Sequence, residues 1–264
     1  MALRASIGQY HSTDSPIHRL DPRVKLVCTA IFMVSCFFVH NAATLAVSAV
    51  TIGIVAACSH VPVRRMLAQI RPIALFLVVT SFINLFFVKT GPLVTSLGPV
   101  QIHANGISAA LLYTLRFFLL LLTGSLLTLT TTPTALADAA ENVLRPLERI
   151  GVPVRQGALV LSIALRFVPT LAQEADNIVA AQTARGADLE GKGAIAYARA
   201  CVPLIVPLFA SALRHADNLG CAMDARCYTG GADRTHYHVM RIEPVRDFPI
   251  VFGLVIYLAI LFVL

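Results

Sequence analysis

Five apolar runs, at about 24–40, 43–58, 72–88, 107–130 and 248–264, constrain this chain more than any other feature. Each approaches the ~20 residues that an α-helix needs to cross a hydrocarbon core about 30 Å thick. Backbone groups in lipid find no water to bond, so runs of this kind form helices that satisfy their own amides. The second and last runs are short, and are expected to tilt little or to thin the bilayer locally. The first is well started: Asp21 suits an N-cap, Pro22 the first helical position, and Arg23 and Lys25 the headgroup level. Only 13% of residues are charged against 57% hydrophobic, which excludes an ordinary soluble domain, where about a quarter are charged. The expected fold is an all-α integral membrane protein with about five transmembrane helices.

The charges orient the bundle. The N-terminal segment holds Arg4, Arg19, Arg23 and Lys25, and the link at 40–43 holds no full charge. The next link holds Arg64, Arg65 and Arg71, and the long one at 89–106 holds only Lys89. Positive links alternate with nearly bare ones, which places the N-terminus in the cytoplasm of a multi-pass cell-membrane protein. The polar stretch up to Lys25 argues against a cleavable signal peptide. Net charge is +7, but the positives sit in short clusters and form no stripe, so the expected partner is the bilayer and not nucleic acid. Residues 1–131 then form a four-helix membrane domain, 132–246 a cytoplasmic domain, and 247–264 a last transmembrane helix.

The cytoplasmic segment holds most of the acidic residues. A short amphipathic helix is expected at about 134–149, capped by Thr132 or Thr134. Two long helices follow, at about 154–185 and 195–226, bent by Pro169, Pro203 and Pro207. Their first halves are apolar nearly all round but only about ten to fourteen residues long, which favours burial against membrane parts over true spanning. The turn Gly186 to Gly193 is expected to be exposed. The six cysteines form no CxxC pair, and His236-Tyr237-His238 has no carboxylate or Cys at helpful spacing, so neither disulfides nor a metal site is expected.

The two long helices end on one repeated pattern. Ala175-Asp176-Asn177 leads to Ala184-Arg185, and Ala216-Asp217-Asn218 leads to Ala225-Arg226, with Asp and Arg nine positions apart in both. Nine residues make two and a half turns, so each Asp faces away from its Arg and cannot pair with it. A cation at a helix C-terminus favours the dipole by about 0.3–1 kcal/mol and needs no partner. Two arginines in one frame, beside small Ala residues and Gly186 or Cys227, point instead to a groove in another protein closing on the planar guanidinium.

Leu165-Arg166-Phe167-Val168-Pro169-Thr170-Leu171, Glu174-Ala175-Asp176 and Ala181-Gln182-Thr183-Ala184-Arg185-Gly186-Ala187-Asp188 together resemble the transmembrane T component of energy-coupling-factor (ECF) vitamin transporters. So do the segments His18 to Leu26 and Ala222 to Tyr228, in the same order, and the resemblance covers about residues 8–231. Gly8-Gln9-Tyr10 looks most like the shared T component and less like cobalt- or biotin-dedicated relatives. The resemblance implies an ABC-type importer in which the T component joins two cytoplasmic ATPase subunits to a substrate-binding S component. It implies that Ala184, Arg185 and Gly186, and Ala225, Arg226 and Cys227, end two coupling helices that dock on the ATPases. Cys227 stands where Gly is common; it is still small, but the easy left-handed helix exit of Gly is expected to be lost. Ala158, Leu161, Leu165, Leu204 and Leu208 are expected to offer an apolar platform to the S component.

No catalytic residue, metal or cofactor is implied, and ATP would be bound by partner subunits. Arg116 lies near mid-membrane and should face protein; pairing with carbonyls or Asn84 is favoured over a substrate contact, since another subunit would hold the substrate. A permease subunit lining its own substrate path is disfavoured by the few polar residues in the spans. An intramembrane enzyme is disfavoured because the chain has no paired carboxylates in the spans, no HExxH and no P-loop.

Overall fold

In a computed structural model the described residues are 10–11, 13–87, 92–97, 100–187, 194–230 and 244–263. Gly8, Gln9, Lys89, Asp188 and His236–His238 lie outside them, as does most of the turn expected after Gly186. The helices are α1 (Pro22–Cys36), α2 (Ala42–Ser59), α3 (Val63–Ile70), α4 (Ala74–Phe87), α5 (Ala104–Thr130), α6 (Pro133–Leu144), α7 (Val154–Ala184), α8 (Ala194–Asp224) and α9 (Pro244–Val263). A small antiparallel hairpin, β1 (Leu93–Leu97) and β2 (Val100–His103), fills the long link before α5. The chain divides into two compact units. One is Gly8–Val143 with Val239–Leu264; the other is Met1–Ile7 with Leu144–His238.

Among the described residues, five helical segments are long and apolar enough to cross a membrane, but not the five expected. They are Ala42–Ser59, Val63–Phe87, Asn105–Thr130, Val154–Ala184 and Arg246–Val263. α1 drops out because its α-helical part stops after 15 residues. The amides of Phe37, Phe38 and Val39 bond back three residues, to Val34, Ser35 and Cys36, which tightens the end of the apolar run into 3-10 geometry. α7 enters because its apolar first half and amphipathic second half form one unbroken 31-residue helix.

In the membrane unit, Phe32, Cys36, Val39, Ile52, Leu119, Leu126, Tyr257 and Leu261 belong to one buried cluster joining α1, α2, α5 and α9. Its one phenol is fully engaged. The Tyr257 ring lies 4.9 Å from Phe32, and its hydroxyl accepts from Ser35 at 3.1 Å and shares a 3.0 Å hydrogen bond with Ser48. One phenol thus ties three helices together at a depth where an unpaired hydroxyl would cost several kcal/mol. Lys25, only 7% exposed, donates to the Thr130 carbonyl at 3.1 Å and the His18 carbonyl at 3.3 Å, pinning the end of α5 to the start of α1. Asp21 caps α1 by accepting from the Arg23 amide at 2.9 Å, as expected of it.

Arg116 resolves the same way. Its guanidinium donates to the carbonyl of Val39, which the 3-10 ending of α1 leaves without a helical partner, and lies 5.2 Å from the centroid of the Tyr113 ring. A carbonyl is its partner, while the Asn84 amide donates to Thr80 in its own helix.

Candidate functional site

α7 and α8 build the site, and their sequences explain how they meet. Pro207 has no amide hydrogen, so the carbonyl four residues back, on Pro203, is freed inside α8. Gln182 of α7 donates to that carbonyl at 3.4 Å. Further along, Ser211 donates to one oxygen of Glu174, and His215 stands 3.4 Å from the other. The rings of Phe167 and His215 lie 5.9 Å apart. As α8 advances from 203 to 211, its partner on α7 recedes from 182 to 174, so the helices run antiparallel. Their C-terminal ends therefore point to opposite ends of the pair.

Both ends fold identically. At the first, the amide of Gly186 bonds to the Thr183 carbonyl at 2.9 Å, and that of Ala187 to Gln182 at 3.0 Å. At the second, Cys227 bonds to Asp224 at 2.9 Å and Tyr228 to Met223 at 3.1 Å. Each is a Schellman motif, the paired return of two amides to carbonyls of the last turn. It requires a left-handed residue at one place, and Gly186 stands there with φ +83° and Cys227 with φ +56°. Cys227 thus takes the left-handed exit, but without the ease of Gly. The two return hydrogen bonds hold a non-glycine residue in a conformation that ordinarily costs about 1–2 kcal/mol.

Ala184, Arg185 and Gly186, and Ala225, Arg226 and Cys227, are all exposed. Arg19–Asp14, Arg155–Glu148 and His215–Glu174 form ion pairs, and no described carboxylate engages either terminal arginine. Asp176 and Asp217 are exposed on the far faces, as the nine-residue spacing requires.

The apolar halves are nearly uncovered. α7 contains no fully buried residue, and among the described residues of α8 only Ser211 is buried. Of the residues assigned to a platform, Leu161 is exposed, while Ala158, Leu165, Leu204 and Leu208 are half-buried. Other residues carry the outer stripes: Val160 and Val168 on α7, and Ile205, Val206 and Phe209 on α8, the last 64% exposed. Sequence reasoning missed them because both halves are apolar all round; only the mutual rotation of the helices separates inner from outer faces. The i, i+4 spacing of Ile205 and Phe209 was the available signal.

A family model described as CbiQ, cobalt transport protein, matches residues 13–237. The energy-coupling factor transporter transmembrane protein EcfT of Thermosediminibacter oceani is 43% identical over 237 residues, which is 90% of this chain and 89% of that protein. EcfT of Bacillus subtilis is 38% identical over 259 residues, 98% of this chain and 97% of that one. A Bifidobacterium longum protein bearing an ABC transporter ATP-binding name is 43% identical over 256 residues, 97% of this chain but 32% of its own length. Matched nearly end to end in this way, and built of helices long and apolar enough to cross a membrane, the chain belongs to the CbiQ/EcfT family of energy-coupling factor transporter transmembrane components.

Proposed function

We propose that this chain is the energy-coupling subunit of an ABC-type importer, joining two cytoplasmic ATPase subunits to an S component that captures a vitamin or another micronutrient. The N-terminus is cytoplasmic. One observation carries the reading: two exposed Ala-Arg ends share one Schellman geometry, face opposite ways, and have no described carboxylate of their own. Each guanidinium is left free to take acceptors from a partner, and the small residues beside it let that partner approach closely. A partner with two equal subunits fits two equal ends. The Bifidobacterium relative supports an ATP-binding partner, since a region like this chain makes up about a third of a protein with an ATP-binding name. The chain has no P-loop, so ATP belongs to the partners and no cofactor to this subunit. The apolar stripes of α7 and α8, with Leu161 among them, serve as the platform for the S component.

Arg185→Ala, Arg226→Ala and the double variant, each co-expressed with the ATPases and S component, test this. Each single change removes charge-assisted bonds worth about 1.5–3 kcal/mol and should weaken uptake while the complex still purifies whole. The double change should lose the ATPases. Full ATPase recovery with normal uptake in the double variant would reduce both ends to helix caps.

A further inference from the structure

A cavity of about 940 Å³ runs through the membrane unit between α1, α2, α5 and α9. Its two ends differ. One is lined by Arg19, Lys25, Arg246 and Asp14, where α1 and α9 begin and where α2 and α5 finish. The rest follows α9 past Gly253 toward Ile260, against aliphatic residues of α2 such as Ile54 and Val55. Cations at one end and hydrocarbon along the remainder are the complement of an amphiphile with an anionic head. Three positive side chains and one negative line the mouth, with the buried carboxylates of Asp21 and Asp247 behind them. Lys25 is committed to the carbonyls of Thr130 and His18. Arg19 is 59% exposed, and among the described residues it pairs at 3.4 Å with Asp14, itself 91% exposed. Pairs so exposed are weak and yield readily to a competing anion. Basic pockets between membrane helices attract anionic lipid headgroups, and a volume of this size falls within the 300–1,000 Å³ typical of small-molecule sites.

We propose that this groove holds one anionic phospholipid of the surrounding bilayer, its phosphate on Arg19 and Arg246 and one acyl chain lying along α9 across Gly253. The inference rests on the membrane reading of the chain and is independent of whether Arg185 and Arg226 grip ATPases.

Gly253 supplies the test. A Cβ added there meets no heavy atom within 4 Å, so a side chain leaves Gly253 without a clash and Gly253→Leu projects into the groove that Gly253 lines. The full chain is reconstituted in nanodiscs of phosphatidylcholine and phosphatidylglycerol in equal parts, then re-extracted. Retained lipid is counted by native mass spectrometry. Phosphatidylglycerol carrying a photoactivatable acyl chain is mapped in parallel. One phosphatidylglycerol should be retained in preference to phosphatidylcholine, with the label on α9 and α2. Gly253→Leu should cut retention at least tenfold with an unchanged melting temperature, and Arg19→Gln with Arg246→Gln should erase the preference for phosphatidylglycerol. Equal retention of the two lipids by the unaltered chain, full retention by Gly253→Leu, labelling of other helices, or retention of detergent in place of lipid would each overturn the proposal.

Discussion

Glu174 and His215 are separated by 41 residues, the same interval that separates Arg185 from Arg226, and their side chains meet at 3.4 Å. Equivalent positions in the two copies of the pattern therefore touch each other where the helices cross. Each arginine lies 11 residues beyond its own member of that pair. At 1.5 Å per residue, each arm extends about 16 Å past the crossing, so the arginines stand at most about 33 Å apart. A local two-fold relation built into one chain presents two matching ends to a symmetric partner.

The crossing sets that span. Glu174→Ala removes the acceptor of the buried Ser211 hydroxyl and the partner of His215, and should cost about 1–3 kcal/mol. Spin labels placed on the two helix ends should show a broadened distance distribution in this variant and a narrow one in the parent. An unchanged distribution would mean that apolar packing alone fixes the crossing.

The two ends are equal in geometry but not in intrinsic stability. Cys227→Gly relieves a left-handed non-glycine residue and should stabilise the second end by about 1 kcal/mol, whereas Gly186→Ala should weaken the first by a similar amount. Hydrogen exchange at the amides of Ala187 and Tyr228 reads both changes. Faster exchange at Tyr228 in Cys227→Gly would contradict the assignment.

Arg116 serves architecture. Arg116→Leu leaves the Val39 carbonyl unpaired and should lower the melting temperature of the purified complex, a loss equivalent to about 1–3 kcal/mol. Substrate affinity of the assembled transporter should not change. Weaker substrate binding with normal thermal stability would restore the substrate-contact reading.

His18 makes the N-terminal segment sensitive to acid. Burial is the main cause that lowers its pKa below the usual 6.5, with the Lys25 charge acting in the same direction. As pH falls below about 6.5, the unfolded segment takes up a proton before the folded one does, so this contribution is complete above that pH and is lost on acidification. The ring is held by Ser15 at 2.7 Å and by an edge contact with Tyr10. Limited proteolysis before Asp21 should accelerate between pH 7.5 and 5.5, and His18→Asn should flatten the dependence.

The membrane class, the helix positions and the repeated ends were legible in the sequence because each rests on local chemistry. The length of an uncharged run, Asp21 before Pro22, and an Ala-Arg pair in a fixed frame are all such signals. What stayed hidden depends on partners distant in sequence. The run to residue 40 does not reveal that α1 tightens after Cys36, because the carbonyl this frees on Val39 is satisfied by Arg116, 77 residues away. Cys227 reads as a poor left-handed residue, and only the return bonds to Asp224 and Met223 hold it there. The outer faces of α7 and α8 were illegible because both first halves are apolar nearly all round, and scattered polar residues such as Ser162 and Arg166 do not mark which way α7 turns.

Tyr257 bonds to serines 222 and 209 positions before it, which makes the membrane unit discontinuous: its final helix is translated only after the whole α7–α8 hairpin. Early helices must wait in the bilayer with Ser35 and Ser48 short of that partner while about a hundred intervening residues emerge. Biogenesis thus imposes an order, in which the hairpin is already made when the last segment closes the bundle. A ribosome stalled before α9 would leave an open bundle, exposed to membrane proteases, whatever the state of the hairpin.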